Sequence, residues 1–337
     1  MANPSEDPPG VLLIGNPSAL AKAYPEDLRK SLSEKVRLLD PPVTQQNWRE
    51  HSALLARGKY ALATWGVPQM DAEFLAKTPR LEALFYAAGS VKGFVTPELF
   101  ARGITVSNAN KANAIPVAEY AVSVIILSLK KFWQNVRRTR RLHVWDHGLP
   151  GPGAYRAAVG LVSLGAVGRL TAEKLRSYEL EVLAYDPFAT EQEAAALGVR
   201  LVSLEEIFLK SDVVSLHTPW LPETENMINA RLLRLLPPGA TLINTSRGAV
   251  VNEKDLCEVL RERADVTAVL DVTHPEPPAQ DSPLYELDNV VLTPHISGSM
   301  ESEVARMGHW MADELKRCLR GEPLQYQITR AMLATAA

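Results

Sequence analysis

Three polar residues that could act together in chemistry each follow a predicted strand. Arg247 comes after the run TLIN, Glu276 after VTAVLDV and His295 after VVLTP. In open α/β sheets, ligands bind beyond the carboxyl ends of the strands. We therefore expect these side chains to converge.

This combination of side chains is typical of carbonyl reduction by hydride transfer. A guanidinium can hold a carboxylate and polarise the adjacent ketone. A histidine kept protonated by a neighbouring carboxylate can donate or accept the alcohol proton. Taken singly, the three residues could instead be a surface cation, a solvated carboxylate and a strand cap. Their shared position after strand ends favours the chemical interpretation.

The segment from Ala158 to Asp186 predicts a dinucleotide-binding βαβ unit. It comprises a buried strand at 159–164, a turn Gly165-Ala166-Val167-Gly168, a helix at 169–178 and a strand at 181–185. Gly165 lets the backbone approach a pyrophosphate, and Gly168 lets the helix pack against its strand. The free N–H groups at the start of the helix would face the negative charge.

Two positions refine this prediction. Asp186 lies 18 residues after Gly168, near the spacing at which a carboxylate reaches the adenine ribose hydroxyls. A carboxylate there repels a 2′-phosphate, so NAD is favoured over NADP. Ser163 replaces the first glycine of GxGxxG and is expected to lower the affinity for the cofactor. A glycine turn that binds no dinucleotide is the alternative.

Strands and helices alternate along the rest of the chain, which predicts parallel sheets with helices on both faces. The apolar segment 115–132 is predicted to be a buried helix between domains or at a subunit interface, with Pro116 in its first turn. Ser203 and Glu206 form a capping box for a helix at 204–210. The other strands are predicted at 11–15, 36–39, 60–64, 84–87, 104–107, 213–217, 241–244, 266–270 and 290–292. The other helices are predicted at 25–35, 71–77, 96–102, 230–236, 252–263 and 301–320.

Composition excludes several classes of protein. The 337 residues carry a net charge of −3, which gives no reason to expect nucleic acid or an anionic membrane as a partner. Only two cysteines occur, so neither a disulfide framework nor a metal site is expected. The amino terminus is polar and rich in proline, unlike a secretory signal. We expect a cytoplasmic protein.

These motifs resemble those of the D-isomer-specific 2-hydroxyacid dehydrogenase family. The resemblance covers nearly the whole chain and is carried by GITVSNANKANAIPVAEYA, the glycine turn, LHTPWLPETENMIN, LINTSRGAVVNEKDL, VLDVTHPEP and LTPHISGS. It implies two doubly wound parallel-sheet domains, one Rossmann-like and one flavodoxin-like. Residues 1–110 and 299–337 would form the substrate domain, and residues 111–298 would bind NAD.

The resemblance also implies roles for individual residues. Arg247 would bind the carboxylate and keto oxygen of a 2-ketoacid, His295 would be the acid/base and Glu276 its partner. Residues implied around the cofactor are Gly165, Ala166, Val167, Gly168, Asp186, Pro219, Thr245, Arg247, Asp271 and His295, with Asp271 near the nicotinamide carboxamide. The backbone amides of Ala88, Gly89 and Ser90 would bind the substrate carboxylate. A homodimer is implied, with the helix near Ile115 in its interface.

Departures from the family pattern leave alternatives open. The carboxylate at 276 argues against the formate-oxidising branch, which has an amide there. No regulatory domain is expected after the last helix. Lys92 lies in a context similar to that of phosphite dehydrogenases, although a solvated loop lysine is the simpler interpretation. A non-enzymatic, NAD-sensing corepressor-like protein is a further alternative. The substrate side chain cannot be predicted, because variable loops form its pocket.

Overall fold

The computed structural model describes residues 7–334, so the first six residues of the polar amino-terminal segment lie outside it. The strands are β1 Gly10–Ile14, β2 Arg37–Val43, β3 Tyr60–Ala63, β4 Ala83–Tyr86, β5 Thr105–Asn108, β6 Ala158–Val162, β7 Glu181–Tyr185, β8 Arg200–Leu201, β9 Val213–Leu216, β10 Thr241–Asn244, β11 Thr267–Leu270, β12 Val290–Leu292 and β13 Gln327–Ile328.

Helices connect most of these strands. They are α1 Pro17–Ala23, α2 Glu26–Ser33, α3 Ser52–Leu55, α4 Ala72–Lys77, α5 Pro97–Ala101, α6 Asn110–Leu129, α7 Phe132–Leu142, α8 Ala166–Leu175, α9 Glu191–Leu197, α10 Leu204–Lys210, α11 Ala230–Leu233, α12 Glu253–Glu262 and α13 Ser302–Leu319. Short 3-10 helices lie at Trp48–His51, Gly248–Val250, Pro283–Tyr285 and Ala331–Ala334.

The chain divides into two compact units, with boundaries between Asn113 and Ala114 and between Gly298 and Ser299. The unit that contains both ends of the described chain has a six-stranded sheet in the order β13-β5-β4-β3-β1-β2. Its strands pair in parallel, except that β13 pairs antiparallel with β5. Alternating residues of its strands belong to two apolar core clusters, so both faces of this sheet are buried.

The second unit has a seven-stranded, fully parallel sheet in the order β12-β11-β10-β9-β6-β7-β8. The chain proceeds from β6 towards β8 and then returns to β9 on the other side of β6. This reversal is the switch point where doubly wound sheets bind ligands. The predicted fold class, two doubly wound parallel sheets, is confirmed.

Most predicted elements are present within a few residues of their expected bounds. The capping box is also present, because the Ser203 hydroxyl accepts from the Glu206 N–H at 3.2 Å and the Glu206 carboxylate accepts from the Ser203 N–H at 3.3 Å. Besides the four short 3-10 helices, six elements were not predicted from the sequence: α1, α3, α7, α9, β8 and β13.

The placement of Pro116 was wrong. Helix α6 begins at Asn110, so Pro116 lies inside it rather than in its first turn. The Asn108 carboxamide oxygen accepts from the Asn110 N–H at 3.4 Å, and Asn113 donates to the carbonyl of Ala109. These bonds start the helix earlier.

The apolar character of α6 has a structural explanation. The helix is long and apolar enough to cross a membrane, but 61% of its most apolar window is buried inside the protein. Val122, Ile125 and Leu129 belong to a core cluster of the second unit, together with residues of β6 and β7. Packing against this sheet therefore accounts for much of its apolarity.

Candidate active site

The glycine turn presents an uncapped helix start. Strand β6 ends at Val162, and Gly165 precedes α8 with no side chain capping the first turn. A Cβ added at Gly165 would meet no atom within 4 Å, whereas one at Gly168 would lie 2.1 Å from the Ser163 carbonyl oxygen. The open space at Gly165 can admit a ligand, and the close contact at Gly168 packs the helix against the turn. The N–H groups of Ala166 and Val167 thus fit the pyrophosphate of a dinucleotide.

Ser163 keeps the turn in a conformation that glycine usually supplies. Its φ is +79°, in the left-handed region, which costs a non-glycine residue roughly 1–2 kcal/mol. Its hydroxyl lies 3.0 Å from the Thr218 hydroxyl, which itself donates to the Val162 carbonyl at 3.3 Å. Ser163 is therefore the donor, and this bond ties the turn to the end of β9.

Asp186 follows β7 and faces the glycine turn. Its carboxylate accepts from the Leu164 N–H at 2.7 Å, and from the N–H groups of Phe188 and Ala189 at 2.8 and 3.0 Å. The side chain is half-buried. These bonds fix the carboxylate beside the turn at which a dinucleotide would bind, and a 2′-phosphate would meet its negative charge there.

Buried polar groups without partners follow β9 and β10, which are neighbours in the sheet. Within residues 7–334, neither ring nitrogen of His217 has a hydrogen-bond partner, and neither does the Thr245 hydroxyl. Such groups are rare unless a ligand or water completes them. Pro219 is half-buried in the same loop as His217. The sequence prediction named Pro219 and Thr245 but missed His217, although this residue directly follows β9.

His217 should make the protein sensitive to acid. Burial lowers its pKa from 6.5 to about 4, so the unfolded chain binds a proton that the folded chain does not. Stability fully present above pH 6.5 is lost as the pH falls towards 4, by at most roughly 3 kcal/mol. Urea titrations give the free energy of unfolding at neutral pH and near pH 5. We expect it to fall less between these two pH values in His217→Asn than in the wild type. The exposed His309 supplies the control, His309→Asn. Equal losses in all three proteins would contradict this origin.

Arg247 lies in the turn after β10. The Asn244 side-chain amide donates to the Arg247 carbonyl at 3.0 Å, and the Arg247 guanidinium donates to the Ser246 carbonyl at 2.7 Å. Burial lowers the pKa of Arg247, and the charge of Glu276 opposes this effect. A Cβ at Gly248 would lie 2.0 Å from the Thr273 backbone. The turn therefore packs directly against the start of the loop that carries Glu276.

His295 and Glu276 form a close pair. The His295 Nδ1 lies 2.6 Å from the Glu276 Oε1, and both side chains remain about half exposed, at 50% and 43%. The pair borders a cavity of about 470 Å³, whose other walls include Thr273, Tyr285 and Pro294. The structure thus brings His295 and Glu276 together, whereas Arg247 is linked to them only by the charge of Glu276, which raises the pKa of the guanidinium.

Asp271 is buried and holds the loop that carries His295. Its carboxylate accepts from the Thr293 hydroxyl at 2.6 Å and from the N–H groups of Ile296 and Ser297 at 2.8 and 2.9 Å. The sequence gave no sign of this role, because the bonds join residues more than twenty positions apart.

The loop after β4, in the other unit, contains Ala88, Gly89 and Ser90. The Ala88 N–H donates to the Tyr86 carbonyl at 2.9 Å, so of the three predicted amides this one already has an acceptor within the loop. Within residues 7–334, the N–H groups of Gly89 and Ser90 have no acceptor. The Gly89 carbonyl accepts from the Asn108 side chain at 2.7 Å, which fixes the loop. Two consecutive free amides can bind a carboxylate.

No group of three or more histidine, cysteine or acidic side chains suitable for a metal ion occurs within residues 7–334.

Comparisons with known proteins identify relatives of this chain. Residues 123–297 match the family model described as "D-isomer specific 2-hydroxyacid dehydrogenase, NAD binding domain". The chain is 32% identical over 263 residues to the D-3-phosphoglycerate dehydrogenase of Mycobacterium leprae, covering 78% of this chain and 49% of that protein. It thus spans about half the length of that relative.

Another relative is matched over most of its length. The glyoxylate reductase of Korarchaeum cryptofilum is 32% identical over 266 residues, covering 78% of this chain and 80% of that protein. A phosphoglycerate oxidoreductase structure from Rhizobium etli superposes with a TM-score of 0.80 at 21% identity, over 96% of this chain and 99% of that one, which shows the shared fold. The chain therefore belongs to the D-isomer-specific 2-hydroxyacid dehydrogenase family, and its second unit contains the family's NAD-binding domain.

Proposed function

We propose that this protein is an NAD-dependent enzyme that interconverts a D-2-hydroxyacid and its 2-ketoacid. The observation that carries the proposal is the His295–Glu276 pair at 2.6 Å, with Arg247 electrostatically coupled to Glu276. NADH supplies the hydride that reduces the keto carbon. The remaining requirements are a cation for the ketoacid and a proton for its oxygen, and these three side chains meet both.

Each residue has a defined task in the proposed reaction. Arg247 binds the carboxylate of the ketoacid and polarises its carbonyl. Glu276 holds the Nδ1 of His295, which leaves Nε2 as the ring atom that delivers a proton to the developing alkoxide. In the oxidative direction Nε2 accepts that proton. The amides of Gly89 and Ser90 are proposed as further donors to the substrate carboxylate.

The assay that tests this function measures NADH oxidation with a panel of 2-ketoacids: glyoxylate, hydroxypyruvate, 3-phosphohydroxypyruvate, pyruvate and phenylpyruvate. Phosphite with NAD is run in the oxidative direction. We expect turnover with at least one ketoacid and a higher kcat/KM for NADH than for NADPH, because Asp186 repels a 2′-phosphate. NAD binding without any turnover would favour a corepressor-like protein. Turnover of phosphite alone would favour a phosphite dehydrogenase.

The Glu276→Gln variant tests the proton transfer. The Glu276 carboxylate accepts a hydrogen bond from the His295 Nδ1 at 2.6 Å, which orients the ring so that Nε2 can deliver the proton. With an amide in place of the carboxylate we expect kcat for ketoacid reduction to fall about tenfold to a hundredfold. The exposed Glu286 provides a matched control, Glu286→Gln, which should keep the wild-type kcat. A wild-type kcat in Glu276→Gln would show that Glu276 does not assist His295.

We further propose a homodimer formed through α7 and the segment after it. No residue of α7 is buried, yet Phe132, Val136 and Leu142 on this helix are apolar and exposed, and Trp145 is 96% exposed. An apolar surface of this kind is typical of an interface between protein chains. The interface predicted on the helix near Ile115 stays a prediction; much of α6 is buried within the protein, whereas α7 has the more exposed apolar surface. Sedimentation of the wild type and Trp145→Glu tests this assignment.

A further inference from the structure

A chain of hydroxyl groups leads from α6 to the loop that carries His295. The Tyr120 hydroxyl lies 3.1 Å from the Thr293 hydroxyl, which lies 2.6 Å from the Asp271 Oδ1. Because a threonine hydroxyl has one proton, and the carboxylate accepts it, Tyr120 must donate to Thr293. The hydrogen bonds therefore run in one direction, from Tyr120 through Thr293 to Asp271.

The carboxylate at the end of this chain supports a strained loop. His295 has a φ of +54°, in the left-handed region that non-glycine residues occupy only when surrounding bonds hold them there. Its N–H donates to the Asp271 backbone carbonyl at 3.0 Å. The next two N–H groups, of Ile296 and Ser297, donate to the two oxygens of the Asp271 carboxylate. The orientation of the His295 ring thus depends on how that carboxylate is held.

Tyr120 is suited to be a permanent donor. Burial raises the pKa of its hydroxyl, the hydrogen bond with Thr293 lowers it, and the negative charge of Asp271 raises it again. With the pKa raised above 10, the phenol keeps its proton at neutral pH. Its acceptor Thr293 is the first residue after β12 and lies two residues before His295.

We propose that Tyr120 and Thr293 are positioning residues for His295. Together they fix the Asp271 carboxylate, which fixes residues 293–297 and directs the His295 Nδ1 at Glu276. Neither substitution alters the charge of Glu276, which contacts the His295 Nδ1, or that of Asp271, which binds the Ile296 and Ser297 N–H groups. The kinetic consequences rest on the proposed function, whereas the structural consequences do not.

Isosteric variants test the chain by kinetics. In Tyr120→Phe and Thr293→Val we expect kcat for ketoacid reduction to fall about tenfold to a hundredfold, because a misdirected ring reacts poorly, with the Kd for NADH unchanged. Since Tyr120 acts through Thr293, Tyr120→Phe should add nothing in the Thr293→Val background. Fully additive effects, or no effect of either change, would overturn the proposal.

Two matched controls separate positioning from general damage. Tyr178→Phe removes the hydroxyl of an exposed tyrosine. Thr241→Val replaces a fully buried threonine of β10 whose hydroxyl has no partner within residues 7–334. We expect both controls to keep the wild-type kcat.

Nuclear magnetic resonance of the His295 ring nitrogens in the protein without NAD makes the test independent of activity. We expect the chemical shift of Nδ1 to change in Tyr120→Phe and Thr293→Val and to stay unchanged in both controls. If the signals change but the protein reduces no ketoacid, the positioning role of Tyr120 and Thr293 is supported and only the proposed function is refuted. If the signals stay unchanged in an enzyme that reduces a ketoacid, only the positioning role is refuted.

Discussion

His295→Asn is expected to lower kcat/KM for ketoacid reduction by about 10²–10⁴-fold, the usual contribution of a general acid/base. Asparagine cannot supply an ionisable proton at neutral pH. It is, however, one of the residues that tolerate the left-handed conformation which His295 adopts at φ +54°. The substitution therefore removes the proton donor while leaving the loop fold and the bonds to Asp271 intact.

The variant is informative only if NADH still binds. We expect the Kd for NADH, measured by fluorescence titration, to match that of wild type, because the glycine turn and Asp186 are untouched. The control His309→Asn removes an exposed imidazole of α13 and should retain full activity. Turnover of His295→Asn within a few-fold of wild type would assign the proton transfer to another group.

Much of the site could be predicted because its residues follow runs of apolar residues. Strands β10 and β12 have the predicted bounds, and Arg247 and His295 follow them by three residues each. The carboxyl ends of parallel strands meet at one edge of a sheet, so position along the chain becomes proximity in space. The order of strands could not be predicted in this way, because it depends on pairing between distant segments.

The helices and strands that were not predicted from the sequence escaped prediction for different reasons. Strands β8 and β13 have two residues each, too few to show alternation. Helix α1 carried a readable signal, since Asn16 caps it and Pro17 occupies its first position. Helix α9 also begins with a capping box, formed by Thr190 and Glu193, and could have been found.

The hydrogen bonds that support the site lay beyond any sequence pattern. Tyr120 and Thr293 are 173 residues apart, and nothing in the spacing of either residue indicates the other. The same holds for the Ser163–Thr218 bond, 55 residues apart. The expected loss of cofactor affinity at Ser163 stays a prediction; what the sequence could not indicate is that its hydroxyl bonds to Thr218, just after β9.

Arg247 occupies an unusual position for a cation, because it is partly buried without a carboxylate beside it. Within residues 7–334, no acidic oxygen lies within 4 Å of its guanidinium, and Glu276 acts on it only at longer range. A charge held in this way interacts strongly with an anion that arrives, since little water screens the pair. The geometry is therefore suited to binding a substrate carboxylate.

We expect Arg247→Gln to lower kcat/KM by roughly thirtyfold to several thousandfold, the equivalent of the 2–5 kcal/mol that loss of a buried charge partner typically costs. The KM for the ketoacid should rise because its carboxylate loses a cation, and kcat should fall because the carbonyl is less polarised. Arg247→Lys should restore only part of the loss, since an ammonium cannot make two parallel hydrogen bonds to a carboxylate.

The stability of Arg247→Gln gives a second test, in which the expected change is opposite to the loss of activity. Removing an unpaired buried cation relieves its desolvation, so we expect the free energy of unfolding of Arg247→Gln to equal or exceed that of wild type. By contrast, Arg234→Gln breaks exposed ion pairs with Glu258 and Glu262 and should leave kinetics unchanged. An Arg247→Gln protein with an unaltered KM for every ketoacid would show that the substrate carboxylate binds elsewhere. An unstable and inactive Arg247→Gln protein would instead show that the guanidinium supports the turn after β10.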